Sequence, residues 1–125
     1  MADAIDVVQS FCDAWAKGDL DTLLEYFTDD AVYHNIPIAP VTGKDAIRAT
    51  IAGFTGGVDS IEFRVLHIAG SGNVVMTERV DVFNMPSTSI ELPVMGTFEV
   101  TADGKISAWR DYFDLNQFMS QMPTG

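Results

Sequence analysis

The stretch VMTERVDVF (75–83) has apolar, β-branched ends and an ionised middle, with Glu78, Arg79 and Asp81 set inside what otherwise reads as a buried strand. Ionised side chains are costly in such a strand unless they are paired. Side chains alternate along a strand, so Arg79 and Asp81 project together with Phe83, while Glu78 and Val80 point the other way. The same parity in AWRDYFD (108–114) groups Trp109, Asp111 and Phe113, and in VYHNI (32–36) it groups Tyr33 with Asn35 and sets His34 apart. If these three faces look into one chamber, two carboxylates, a guanidinium, a phenol and an amide meet among apolar groups. Two close carboxylates do not readily ionise together, so one keeps a proton while the other is a base. A guanidinium between them stabilises the remaining negative charge. That is equipment for general acid–base chemistry.

Taken singly, each residue has a plainer reading. Arg79 and Asp81 alone describe a salt bridge on a solvated sheet face, and Asp111 alone an exposed strand acid. Tyr33 alone is a core tyrosine with a satisfied hydroxyl, and Asn35 a turn residue before Pro37. Glu78 reads as an outer-face or interface residue. His34 lies on the face opposite Tyr33, and His67 has no acid two residues away, so neither is expected to act as a base. Met76, Met85 and Met95 are candidates for an adaptable pocket wall.

The elements that must position these groups follow from periodicity. Residues 3–17 carry Ile5, Val8, Cys12 and Trp15 on one helical face, with Gly18 as the stop. Asp19 precedes a short amphipathic helix containing Leu20, Leu23, Leu24 and Phe27. A strand is expected at about 31–36, and Pro37 and Pro40 prevent its continuation. GKDAIRATIAGF forms a third helix with Ile47, Ile51 and Phe54 on one stripe. GFTGG (53–57) reads as its end and turn. SIEFRVLHIA, VVMTERVDVFN, SIELPVMGTFEV and KISAWRDYFD then read as four strands joined by the turn signals GSGN, NMPSTS and TADG. Asp114 is placed to cap a final helix.

Helices first and strands later predict an α+β fold for one domain, 1–125, whose mainly antiparallel sheet curls around the N-terminal helices. The order of elements resembles the nuclear-transport-factor-2-like fold, which implies a cone-like cavity as the functional site. The fold hosts enzymes and plain binding modules alike.

The net charge of −11 in 125 residues opposes a phosphate-tracking surface, so no nucleic-acid partner is expected. One cysteine, Cys12, cannot form an internal disulfide and reads as a small core residue. One Cys and two distant His residues cannot supply a closed zinc site. No P-loop or G-x-S-x-G elbow occurs. No run is long enough to span a bilayer, and MADAIDVVQ lacks the basic start and apolar stretch of a signal peptide, so the cytoplasm is the expected location.

Y-x-N, then R-x-D, then W-R-D-Y-F-D, in this order and on the expected strands, resembles the limonene-1,2-epoxide hydrolase family. The likeness runs over nearly the whole chain, from DAWAKGDLDTLLEYFTDDAVYHN to RDYFD. It implies an epoxide hydrolase that adds water to a small or cyclic apolar epoxide to give a vicinal diol in one step, with no covalent intermediate, metal or cofactor. It implies Asp81 as the acid, Asp111 as the base, Arg79 as the bridge, and Tyr33, Asn35 and Asp111 as holders of the hydrolytic water. Phe83, Phe113 and Trp109 are then the expected substrate contacts, and a homodimer through the outer sheet face is implied. Two rival functions share the fold. A ketosteroid-isomerase-like proton shuttle wants an isolated base, and a non-catalytic small-molecule carrier needs no paired acid and base.

Overall fold

A computed structural model describes residues 3–122. Helix α1 (Ala4–Ala14) is capped by Asp3, whose side chain accepts from the Ile5 N–H, and it tightens into a 3-10 turn at Trp15–Lys17. Gly18 ends that turn at φ 70°, a left-handed conformation that glycine adopts without a Cβ clash. Asp19 caps α2 (Leu20–Leu24) by accepting from Asp21 and Thr22. Strand β1 (Phe27–Asn35), the short β2 (Val41–Thr42) and helix α3 (Lys44–Thr55) follow. The chain then runs through β3 (Ser60–Ser71), β4 (Val74–Asn84), β5 (Ser89–Val100) and β6 (Ile106–Tyr112) to α4 (Leu115–Met119), which Asp114 caps as expected.

The strands form one mixed sheet in the order β2-β1-β6-β5-β4-β3. All neighbours are antiparallel except β1 and β6, which run parallel. The α+β fold with a curved, mainly antiparallel sheet around N-terminal helices is therefore the observed one. Two boundaries differ from the sequence reading. Phe27 starts β1 rather than ending α2, and β1 begins four residues before the expected 31. The cause is tertiary: Phe27 pairs with Ile106, and the Ile106 N–H donates to the Tyr26 carbonyl at 2.7 Å. Strand β2 was not foreseen between Pro40 and Gly43.

Three register shifts bend the sheet. One lies in β3 between Val65 and His67, one in β6 between Ile106 and Ala108, and one in β1 between Phe27 and Val32. Bulges of this kind increase twist and curl a strand. The concave face wraps around α1, α2 and α3. Phe11 of α1 sits at the centre, fully buried, and meets Trp15, Tyr26, Phe27, Phe98 and Trp109 edge-on, with centroids 5.1–6.0 Å apart. Edge-to-face contact at this spacing suits aromatic quadrupoles. Cys12 packs within this core, and burial pushes its thiol up to about 12, which leaves it an inert small core residue.

Candidate active site

Parity on β4 turns Val75, Thr77, Arg79, Asp81 and Phe83 inward, all buried. Register places the partners. Asp111 of β6 lies beside Asn35 of β1 and beside Gly96 of β5, and Gly96 lies beside Thr77 of β4. Arg79 and the two acids are 1 %, 4 % and 3 % exposed for Arg79, Asp81 and Asp111 respectively. The three faces proposed from parity therefore do converge.

Every N–H of the Arg79 guanidinium has an acceptor. Nε and Nη2 donate to Asp81 Oδ1 and Oδ2, both at 2.9 Å. Nη1 and Nη2 donate to Asp111 Oδ1 and Oδ2 at 3.2 and 2.8 Å. The remaining Nη1 hydrogen goes to Thr77 Oγ1 at 3.1 Å. One planar cation thus holds two carboxylates by two of its edges, a geometry an ammonium cannot reproduce. Its face rests on Phe63, 4.5 Å from the ring centroid, so the cation has an aromatic surface where solvent would otherwise be.

Gly96 makes this arrangement possible. A Cβ there would lie 2.7 Å from Asp111 Oδ1 and 3.0 Å from Thr77 Oγ1, and closer still to Arg79 Nη1. The guanidinium occupies the slot that any other residue would fill. Gly96 and Thr77 are site residues that sequence reading missed. Their signals were present: a glycine inside a strand marks close approach, and Thr77 is two residues before Arg79 on the same face.

Trp109 does not reach the cavity, contrary to its expected role as a substrate contact. It is fully buried behind the site, stacked on Tyr33 at 4.1 Å and on Phe98 at 5.6 Å, and its Nε1 donates to Asp111 Oδ1 at 2.7 Å. The indole is large enough to fill the space between β1 and α1, and so it orients the acid from below. Asp111 thus receives three donors and Asp81 two.

The electrostatics follow from burial. Asp81 is pushed up to about 6, first by burial and then by the Asp111 charge, with Arg79 opposing. Tyr33 is raised well above the ordinary phenol range by burial and by Asp111, so it is a neutral donor at any ordinary pH. Burial works against the charge on Arg79, but Asp111 and Asp81 outweigh it and hold the guanidinium protonated.

Above the acids opens a cavity of about 130 Å³. Asp81, Asp111, Tyr33 and Asn35 supply its polar end, and Phe83 and Phe113 lie in its wall, as expected. Phe54, Phe63, Leu92 and Phe118, from four other elements, add to the wall. His34 bonds the Ile38 carbonyl at 2.9 Å, and His67 bonds Glu78 on the exposed face at 2.8 Å, so neither serves this cavity. Met76 and Met95 also lie on the outer face, half exposed, because parity places them opposite Arg79 and Gly96; they do not line the pocket. Among the described residues, no group of three or more His, Cys, Asp or Glu side chains could hold a metal ion. No helix among them is long and apolar enough to cross a membrane.

Residues 2–124 match the family model described as the limonene-1,2-epoxide hydrolase catalytic domain. The chain is 34 % identical over 108 residues to epoxide hydrolase EphG of Mycobacterium tuberculosis, covering 86 % of this chain and 71 % of that protein. A solved LEH-like epoxide hydrolase from M. tuberculosis superposes with a TM-score of 0.81 at 32 % identity, over 94 % of this chain and 87 % of that one. A protein named as a SnoaL-like polyketide cyclase, from Shewanella putrefaciens, superposes at 0.85 with 17 % identity, over 97 % and 96 % of the two chains, a likeness of fold alone.

The raised Asp81 has a consequence for stability. Between the ordinary carboxyl value of 3.8 and about 6, the folded protein binds more protons at Asp81 than the unfolded chain does. Its contribution is therefore fully favourable below about pH 4 and is lost as pH rises through about 6. Asp81→Asn removes this titration. Urea unfolding across that range should show the variant gaining stability relative to the native protein as pH rises, with a plateau above about pH 7. A difference independent of pH would contradict the raised value.

Proposed function

The chain belongs to the limonene-1,2-epoxide hydrolase family, and on that premise we propose that it adds water to a small apolar, ring-bearing epoxide to give a vicinal diol. The observation that carries this reading is the pair of buried carboxylates on two edges of one fully engaged guanidinium, at the polar end of an apolar cavity. The cluster holds one positive charge against two acids. A single shared proton brings it to neutrality and leaves one acid and one base together.

Asp81 is the general acid in this proposal. It has the fewer donors, and burial raises its affinity for a proton. Asp111 is the general base, because three donors support its charge. A water held by Tyr33, Asn35 and Asp111 attacks a ring carbon. The C–O bond to that carbon breaks as the new one forms. Asp111 takes the proton from water while Asp81 gives its own to the leaving oxygen. The acids then hold the proton in reverse, and its return past Arg79 resets the site. Positioning the water removes much of the entropic barrier, and ring strain supplies driving force. Phe83 and Phe113 flank the substrate ring and bear on which enantiomer or carbon is favoured. An isomerase-type shuttle has no use for a cation clamped between both acids, and a carrier would bear the desolvation of three ionisable groups without return.

The reading extends to a second copy of the chain. Tyr112, Met95 and Leu66 lie on the outer sheet face, each about half exposed, with Met95 paired to both Tyr112 and Glu78. We place a homodimer contact on this row. Met95→Glu should shift sedimentation velocity from dimer to monomer; an unchanged coefficient would remove the row from any interface.

The catalytic roles are tested on a diol-formation screen over cyclic, terpene and aryl epoxides. Asp81→Asn and Asp111→Asn should each lower turnover by at least about 10²-fold with the fold intact. Arg79→Lys should be comparably severe. Gly96→Ala should also lose at least about tenfold, because displacing Arg79 separates the acids. Near-native turnover in either Asn variant would sink the acid–base assignment.

A further inference from the structure

Strand β6 stops at Tyr112, which pairs with Met95. The first half of β5, Ser89–Val94, therefore has β4 on one flank and, among the described residues, no strand on the other. Open edges of this kind carry unpaired backbone groups. At Glu91 the gap is filled by a side chain. Gln121 Oε1 accepts from the Glu91 N–H at 3.1 Å, and Gln121 Nε2 donates to the Glu91 carbonyl at 3.0 Å. The second Nε2 hydrogen goes to the Gln117 carbonyl at 2.9 Å. A primary amide has the donor and acceptor of a peptide unit, so Gln121 stands in for one residue of a missing strand and ties it to α4.

What it ties down is part of the cavity. Leu115 and Phe118 of α4 line the wall, and Phe118 meets Phe83 edge-on at 5.5 Å. Helix α4 has five residues and cannot persist by its own hydrogen bonds. Its position rests on the Asp114 cap at one end, the Phe118 contact in the middle and the Gln121 amide at the other end. None of these touches Asp81, Arg79 or Asp111.

We propose that Gln121 is a specificity-determining positioning residue, which latches α4 to the open edge of β5 and so sets how wide the cavity is beside Phe83. The selectivity half of this inference rests on the cavity being the epoxide site; the latch half does not. Gln121→Met keeps the length of the side chain and removes its bonds. Gln121→Glu keeps the acceptor and loses the donors.

Two readouts decide it. Amide hydrogen exchange at Phe118, Ser120 and Gln121 should quicken by roughly tenfold or more in Gln121→Met, which loses all three hydrogen bonds to the backbone, and also in Gln121→Glu, where a carboxylate oxygen faces the Glu91 and Gln117 carbonyls. With cyclohexene oxide, KM should rise at least about threefold while kcat stays within about twofold, the pattern of lost uniform binding. With the bulkier stilbene oxide, kcat/KM should rise relative to cyclohexene oxide. Unchanged exchange overturns the latch. Faster exchange with an unchanged ratio of kcat/KM between the two epoxides overturns the selectivity role. An equal fall in kcat for both substrates also overturns it, since the centre itself is then damaged. If the native protein opens no epoxide, the functional reading fails and the selectivity role with it, while exchange still decides the latch.

Discussion

The clamp of Arg79 on Asp81 and Asp111 is the constraint around which the rest is arranged. Three ionisable groups lie almost wholly out of water, and burying each charge costs several kcal/mol unless its hydrogen bonds are complete. They are complete for the guanidinium: five donors, five acceptors. This explains residues with no chemistry of their own. Thr77 takes the fifth hydrogen, Gly96 vacates the space, Phe63 covers the cation face, and Trp109 fixes Asp111 from behind. Loss of any one leaves a buried charge short of a partner or displaced, so the centre is rigid by necessity.

That rigidity requires a scaffold that does not yield. The concave sheet face is packed with aromatic rings at near-perpendicular and stacked contacts, with Trp109 in contact with Phe11, Tyr33, Phe27 and Phe98. The ring that holds Asp111 is thereby part of the main core. The cavity side of the acids is lined differently, by wall residues drawn from the ends of strands and from α3 and α4. The proposed division of labour follows: a rigid floor for proton transfer, and a wall that sets substrate shape.

Much of the floor was legible from strand parity alone. Alternation grouped Arg79 with Asp81, Tyr33 with Asn35, and Asp111 with its aromatic neighbours, and these groupings hold because β4 and the second half of β1 run without interruption; the inward direction of all three faces comes from the structure. Alternation fails at bulges. The extra residue near Leu66 lets Val65 and Ile68 both turn inward, and the one near Ser107 does so for Ile106 and Trp109. Depth was not legible either: parity placed Trp109 on the right face but could not distinguish a pocket wall from the layer behind it. Gly96 and Gln121 act across strands, through register and an open sheet edge; local patterning marks Gly96 as a point of close approach but does not contain what approaches it. The Phe27 boundary was missed because apolar spacing continues α2, while long-range pairing with Ile106 decides the outcome.

In the proposed reaction water attacks the epoxide directly, with the two acids moving protons and forming no bond to carbon. A single turnover with protein in excess over epoxide, in ¹⁸O-labelled water, tests this most closely. Direct attack places the label in the diol in that first turnover and leaves Asp81 and Asp111 unlabelled by mass spectrometry of their peptides. An ester route delivers unlabelled carboxylate oxygen to the first diol and leaves ¹⁸O on one of the acids. Label on either Asp81 or Asp111 would contradict the account, even if both residues proved essential.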